Sequence, residues 1–301
     1  MPGHPAAGSP ADEATTPVRP RLRPTRRLRR GRAWRALVLA AVVASGALPV
    51  APPPEASAAA ARPDGPLVPQ SGFYVGAYTK HPSGYSADKQ RSAILQLESD
   101  LGRRLHIDHH FYSWSDNFPS WREPWDLEHD RIPMISWNGN EVPTSQIAAG
   151  TQDGLIVSRA QAVRDLGEPV FVRWFWEMDG NKKAQYAESG ESYVRAWRRI
   201  VDIFRSQGAS NAVWVWCPNA SAVGDGKAMP YYPGPEYVDW VCGDGYNFAP
   251  NRPGDRWRTF AEIFDDFYAA ALKLKKPIMI GEVGALERDP GEKGAWFHQA
   301  H

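Results

Sequence analysis

The sequence VFVRWFW at residues 170–176 is followed by ESYVRAWRRIVDIFRSQ at 191–207 and by AVWVW at 212–216. Apolar residues in the middle segment recur at intervals of three and four, which predicts an amphipathic helix. The two flanking runs are short, apolar and rich in β-branched and aromatic residues, which is typical of buried strands. A strand, a helix and a second strand in this order predict parallel pairing of the two strands.

The same unit recurs through the chain from residue 72 onward. Seven apolar runs occur at 73–78, 105–111, 132–137, 170–176, 212–216, 240–246 and 277–281, with helix-like segments at 86–101, 191–207 and 256–275 among them. Seven strands across ~230 residues favour a TIM-type (β/α) barrel over an open sheet. No Gly-rich phosphate loop follows the first run, which argues against a dinucleotide-binding fold.

A barrel of this type has eight strands, and the chain supplies runs for seven. The seventh run ends near Glu282, and the 19 residues after it contain no further apolar run. We therefore expect an α/β barrel that lacks its eighth strand and is incompletely closed, because the chain is truncated at its C-terminus.

The first 62 residues differ in composition from the rest. They contain ten Arg and three acidic residues, and an apolar run at 36–50 precedes a small-residue stretch at 56–61. This order is typical of a secretory signal with a long leader, and the apolar run is shorter than the ~20 residues of a membrane span. We assign 1–62 as the leader and signal, 63–71 as a linker and 72–301 as the incomplete barrel. A secreted protein is predicted, with a signal-anchored form as the alternative and no stable membrane partner.

Charge and cysteine content restrict the partners and cofactors. Residues 63–301 carry 25 basic and 31 acidic side chains, a balance that argues against nucleic acid as a partner. An exported protein permits a disulfide between Cys217 and Cys242, and two buried thiols are the alternative. No CxxC or His-rich spacing is present, so we expect no metal and no cofactor, and we expect a monomer.

Residues at the carboxyl ends of barrel strands form the active site in barrels of this class. The side chains expected there are aromatic rings, amides, an imidazole pair and carboxylates: Tyr78, His109, His110, Tyr112, Trp114, Trp137, Asn138, Trp176, Glu177, Trp216, Asn219, Tyr246, Asn247 and Glu282. Aromatic faces stack on sugar rings while amides and carboxylates bond hydroxyls, so the mixture predicts a polysaccharide cleft lined by Trp114, Trp137, Trp176 and Trp216. Strand alternation puts Arg173 on the inward face, where we expect it to hold an acidic partner.

Two carboxylates end strands on this rim. Glu177 closes FVRWFWE (171–177), and Glu282 lies in KPIMIGEVG (276–284). Cleavage of a glycosidic bond uses two carboxyl groups, one that protonates the leaving oxygen and one that attacks the anomeric carbon or activates water. The alternative is that each Glu caps a strand or pairs with a neighbouring Arg.

Several segments in order resemble glycoside hydrolase family 26, the family of many endo-β-1,4-mannanases. They are GAY (76–78), LGRRLHIDH (101–109), PMISW (133–137) and YVDWVCGDGYN (237–247), together with the two Glu motifs. The resemblance implies a (β/α) barrel and a retaining mechanism, with Glu177 as acid/base and Glu282 as nucleophile. It also implies that Tyr246 hydrogen-bonds the nucleophile. Two retaining carboxyl groups are expected about 5–5.5 Å apart.

The predicted function is that of a secreted, retaining endo-β-glycanase acting on β-1,4-mannan-type polysaccharide. Trp176 stands where many members of the family carry His, which leaves mixed-linkage β-glucan and β-1,3-xylan as alternative substrates. A non-catalytic glycan-binding barrel that uses the same aromatic rim is the alternative of a different class.

Overall fold

The computed structural model describes residues 65–180, 183–249 and 255–300, and the assigned leader lies outside them. Its sheet contains seven parallel strands in chain order: β1 Gly76–Ala77, β2 Ile107–Tyr112, β3 Ile132–Trp137, β4 Val170–Trp174, β5 Ala212–Trp216, β6 Trp240–Asn247 and β7 Ile278–Ala285. The α-helices are α1 Ala87–Leu101, α2 Arg122–Leu127, α3 Thr144–Ala148, α4 Asp153–Leu166, α5 Ala184–Ala187, α6 Gly190–Ser206, α7 Ala220–Gly224, α8 Phe260–Ala271 and α9 Glu292–Phe297. The prediction of a seven-stranded parallel barrel is confirmed.

The curl of the sheet follows from the contacts of Arg173 on β4. This one side chain hydrogen-bonds His109 on β2 and Glu282 on β7. In a flat sheet those strands would lie five spacings apart, roughly 24 Å at about 4.8 Å per spacing. One side chain cannot bridge that distance, so the sheet must curl around Arg173.

The two faces of the sheet bury different clusters. The inner face carries a small cluster that includes Met134, Phe171 and Val215. The outer face packs against the helices, where Trp174 of β4 stacks on Tyr193 of α6 with ring centroids 5.3 Å apart. Because both faces are buried, the strands read as continuous apolar runs instead of alternating ones.

The two end strands each have one partner within the described parts of the chain. β1 is two residues long and pairs with β2, and β7 pairs with β6. The result is a curled, open barrel, and an eighth strand is not among the residues described. Along the open side, Ile280 and Val283 of β7 are exposed.

The segment assigned as a linker is in part a component of the barrel. Trp240 Nε1 donates to the Pro66 carbonyl at 2.8 Å, and Leu67 and Val68 pack against the inner cluster. This corrects the 63–71 assignment, because apolar residues at 67 and 68 have a core surface to cover at the beginning of β6.

None of the helices in the described ranges is long and apolar enough to cross a membrane.

Candidate active site

Glu282 lies within β7 and is held by two donors. Tyr246 Oη donates to Glu282 Oε2, and Arg173 Nη2 donates to Glu282 Oε1, both at 2.5 Å. Burial and then the charge of Glu282 raise the pKa of Tyr246, so the phenol keeps its proton and remains a donor. Hydrogen bonds to the charged form of a carboxylate stabilise that form. The arrangement suits a carboxylate that must stay ionised and fixed in orientation.

A fully buried Arg173 organises the interior below Glu282. Its Nη1 contacts both oxygens of Asp244 at 3.2 and 3.0 Å, and its Nε donates to Ser136 Oγ at 2.7 Å. Its Nη2 lies 3.2 Å from His109 Nε2. Burial, followed by the charge of Arg173, lowers the pKa of His109, so the imidazole is neutral and its Nε2 accepts. Arg173 therefore lies inside the barrel with two acidic partners, Asp244 and Glu282.

Glu177 is carried by a tight turn that begins as soon as β4 ends at Trp174. Phe175 and Glu177 have φ angles of +46° and +52°, in the left-handed region that non-glycine residues rarely occupy. The Glu177 N–H donates to the Cys217 carbonyl at 2.7 Å, which fixes the turn to the end of β5. Strained backbone of this kind persists where the surroundings determine it, and it is concentrated at functional sites.

Gly139 makes this turn possible from the neighbouring loop. A Cβ at Gly139 would lie 2.3 Å from the ring of Phe175, well inside van der Waals contact. Only glycine leaves room for the Phe175 ring at this position. The loop after β3 therefore supports the turn that carries Glu177.

Trp176 and Lys183 flank Glu177. Lys183 Nζ lies 3.5 Å from Glu177 Oε2, donates to the Trp176 carbonyl at 2.7 Å, and lies 4.2 Å from the centre of the Trp176 ring. Burial lowers the pKa of Lys183 and the charge of Glu177 opposes that shift. On its other side Trp176 meets Phe111 edge-on, with ring centroids 5.3 Å apart. Trp176 is partly exposed and so offers ring surface to a ligand.

Three of the four predicted cleft tryptophans belong to the core, which corrects their assignment. Trp114, Trp137 and Trp216 are at most 3% exposed. Trp114 stacks on Trp137 at 4.3 Å, and Trp216 packs against Tyr232 at 5.0 Å. Trp137 and Trp216 end their strands on the outward side, opposite Ser136 and Val215. Strand alternation therefore turns them to the helix layer.

The site contains residues that the sequence analysis did not single out. Asp244 precedes Tyr246 by two positions on β6, and alternation along that strand could have identified it as an inward carboxylate. Ser136 occupies the inward position next to Trp137 in the same way. Lys183 lies in the loop after Glu177, where no periodic pattern predicts which side chains point to the cleft.

The two glutamates share one electrostatic environment. Burial is the main cause of the raised pKa of Tyr246 and of Asp244, and the charges of both Glu282 and Glu177 raise each of them further. One carboxylate is thus held by two donors while the other is partly exposed beside an aromatic ring and a Lys. Such a pair can supply an attacking carboxylate and a proton donor to a bond placed between them.

Two clusters of described residues bring three metal-type ligand atoms together. One consists of Cys217, Cys242 and Asp244, but a disulfide joins the two sulfur atoms. The disulfide links the end of β5 to β6. Of the two states that the sequence allowed for Cys217 and Cys242, the structure contains the disulfide and not the two buried thiols. The other cluster lies behind β2, away from Glu282, and consists of Asp108, His110 and Asp126.

Residues 141–289 match the model of glycosyl hydrolase family 26. Endoglucanase H of Acetivibrio thermocellus is 33% identical over 242 residues, which covers 77% of this chain and 26% of that protein. Mannan endo-1,4-β-mannosidase A and B of Caldalkalibacillus mannanilyticus is 28% identical over 120 residues, 39% of this chain and 20% of that protein. This chain thus spans about a quarter or less of the length of these relatives.

The fold has solved counterparts as well. A β-mannanase from a symbiotic protist of the termite Reticulitermes speratus, crystallised with a gluco-manno-oligosaccharide, superposes with a TM-score of 0.55 at 19% identity. The superposition covers 72% of this chain and 76% of the mannanase chain. Residues 141–289 therefore belong to glycosyl hydrolase family 26, and the fold of the chain agrees with that of a solved β-mannanase.

Proposed function

We propose that this chain is a secreted, retaining endo-β-glycanase that hydrolyses β-1,4-mannan-type polysaccharide. One observation carries the proposal: Glu282 is held by Tyr246 and Arg173, and Glu177 lies close enough for its charge to act on Tyr246 and Asp244. Membership in family 26 supports glycoside hydrolysis as the chemistry. The mannosidase relative supports mannan as the substrate.

The contacts support a different role for each carboxylate. Glu282 attacks the anomeric carbon, because two donors hold its carboxylate in one orientation. Glu177 protonates the leaving oxygen and afterwards takes a proton from the attacking water. Lys183, at 3.5 Å, stabilises the Glu177 carboxylate that exists between those two steps. Trp176 supplies a ring face for a sugar beside the cleavage point.

Hydrolysis of a β-glucan is the second candidate. The relative named as an endoglucanase matches 77% of this chain, about twice the share matched by the mannosidase. The mechanism would be unchanged, and the sugar recognised beside Trp176 would differ.

The test compares hydrolysis of mannan, glucomannan, mixed-linkage β-glucan and β-1,3-xylan, with the anomeric form of the first product followed by NMR. We expect β-anomeric products, and loss of ~10³-fold in kcat/KM for Glu282→Gln and Glu177→Gln on polysaccharide. Glu177→Gln should still release an activated aryl leaving group, because that group needs little acid assistance.

Glu191→Gln is the matched control, since Glu191 is an exposed carboxylate on α6 that pairs with Arg195 at 3.5 Å. It should behave as the wild type. A folded wild-type chain that hydrolyses none of the four polysaccharides contradicts the proposal. Unchanged turnover in Glu282→Gln contradicts the assigned nucleophile.

A further inference from the structure

A second polar cluster lies on the face of β2 that points away from the catalytic cleft. His109 and Phe111 face the barrel interior, and the alternating residues Asp108 and His110 face the helix layer. Helix α2 brings Asp126 against them, and all three side chains are buried. A cavity of about 100 Å³ opens over Asp108 and His110 and is otherwise lined mainly by residues of α1, α2 and the loop after β1.

The ligand atoms of this cluster converge. His110 Nε2 lies 2.6 Å from Asp126 Oδ2 and 3.7 Å from Asp108 Oδ2, and the three atoms all lie within 4.8 Å of one another. An ion held at about 2.0–2.2 Å by imidazole nitrogen and carboxylate oxygen needs ligand atoms roughly 3–4 Å apart. The Asp108 distance already meets that need, and the His110–Asp126 pair has to open by about 0.7 Å.

One oxygen atom of the cluster lacks a partner in the described part of the chain. Asp126 Oδ1 is buried and has no hydrogen-bond partner among the described residues. A buried carboxylate normally has a bonded cation beside it.

The nearest arginines form their hydrogen bonds with other residues. Arg131 donates through Nε and Nη2 to Glu98, each at 2.8 Å, and its buried Nη1, whose charge acts on Asp108 and Asp126, has no hydrogen-bond partner among the described residues. Arg122 donates to Gln90 at 2.9 Å and lies near Ser120. Neither forms a hydrogen bond to Asp108 or Asp126 in the described structure.

We propose that Asp108, His110 and Asp126 form a Zn²⁺ site, with a fourth position open to water through the cavity. A mixed imidazole and carboxylate set suits Zn²⁺ better than Mg²⁺ or Ca²⁺, which prefer oxygen ligands alone. The ion would fasten α2 to the back of β2, the strand whose other face carries His109 and Phe111 beside the catalytic residues. Its role is structural, and the inference does not depend on the proposed hydrolase activity.

The experiment uses the full, tag-free chain, kept oxidised, freed of metal with a chelator and dialysed against buffered ZnCl₂. We expect one Zn²⁺ per chain and a higher thermal unfolding midpoint with Zn²⁺ than without it. His110→Gln and Asp126→Asn should weaken Zn²⁺ binding by ~100-fold or more, since even the loss of a residue that only supports a ligand costs 10–100-fold. His81→Gln removes a histidine outside the cluster and should bind Zn²⁺ as the wild type does.

Failure of the wild type to bind a stoichiometric Zn²⁺ overturns the proposal, as does equal binding by wild type and His110→Gln. If a variant does not fold, Co²⁺ binding by the wild type provides the test instead. Co²⁺ bound to one imidazole and two carboxylates gives visible absorption bands, which Zn²⁺ should then abolish. Absence of those bands on addition of Co²⁺ also overturns the site.

Discussion

Tyr246 is the residue whose contribution can be isolated most cleanly, because its hydroxyl bonds one oxygen of Glu282. Tyr246→Phe removes that donor and leaves the ring that stacks on Phe248. A hydrogen bond to a charged group contributes about 1.5–3 kcal/mol, so kcat/KM should fall by roughly 10- to 100-fold. Steady-state kinetics on soluble mannan measures the effect.

Tyr232→Phe is its control. The Tyr232 hydroxyl is buried and has no hydrogen-bond partner in the described residues, so its loss should change neither kinetics nor folding stability greatly. If Tyr246→Phe and Tyr232→Phe had equal kinetics, Tyr246 would have no role in orienting Glu282.

Tryptophans of the cleft and of the core should respond differently to truncation. Trp176→Ala removes a partly exposed ring beside Glu177, and we expect KM to rise about tenfold with little change in stability. Trp137→Ala empties a fully buried site and should reduce the free energy of unfolding by about 3–5 kcal/mol. Urea unfolding together with kinetics separates the two effects, and the reverse pattern would mean that Trp137 reaches the cleft.

At the scale of elements, the turn after β4 depends on the space beside Gly139. Gly139→Ala puts a methyl group into the Phe175 ring, and overpacking of this kind costs about 1–3 kcal/mol. Because the same turn carries Glu177, kcat should fall more than KM changes. Thermal unfolding and kinetics on one preparation test both statements.

Gly154→Ala is the matched substitution in a helix. Nothing lies within 4 Å of a Cβ at Gly154, and the residue belongs to α4, so alanine should stabilise the chain by up to about 1 kcal/mol. A Gly139→Ala variant as active and stable as Gly154→Ala would show that the turn adapts without cost.

Much of the element structure could be predicted because a parallel barrel repeats one pattern. The runs at 132–137 and 212–216 coincide with β3 and β5. The run at 170–176 is two residues longer than β4, because apolarity continues through Phe175 while the backbone turns at its positive φ. Glu282 lies inside β7 and not at its end, since β7 continues through Val283 and Gly284 to Ala285, a stretch too short to stand out as an apolar run.

The candidate site could be predicted only where chemistry and strand position coincide. Glu177, Glu282, Tyr246 and Arg173 are of this kind. The resemblance to family 26 implied roles for the first three, and strand alternation predicted the acidic partner of Arg173. The tryptophans could not be sorted by residue type, because a strand-end Trp suits a sugar platform and a helix contact equally well. For Trp137 and Trp216 the parity of the strand position decides, and that parity is fixed by the register with neighbouring strands.

For the molecule as a whole, Arg173 is the central connection, since its contacts join β2, β3, β6 and β7 to β4. Arg173→Met leaves Asp244 buried without its ion pair, which should cost about 3–5 kcal/mol of stability. Adding Asp244→Asn removes the stranded charge, so the double variant should recover part of that stability. Activity should not return, because Glu282 keeps Tyr246 but still lacks the Arg173 donor.

Chemical denaturation of the two variants gives the stabilities, and hydrolysis assays give the activities. Equal stability of the wild type and the Arg173→Met variant would mean that the barrel closes around its interior without this side chain. Recovery of activity in the double variant would show that Arg173 serves the fold alone.

The hydrogen bond from Trp240 to Pro66 determines where the chain can be cleaved without loss of barrel contacts. Proteolysis before residue 65 leaves the indole paired and Leu67 and Val68 in place over the inner cluster. Cleavage after Val68 would instead expose Trp240 and its apolar neighbours at the beginning of β6. The rest of the barrel would stay folded, with an exposed apolar patch through which molecules could associate. A cut at the predicted boundary of 62 would therefore leave these contacts in place, whereas a cut at the predicted barrel start of 72 would remove the residues that cover the inner cluster.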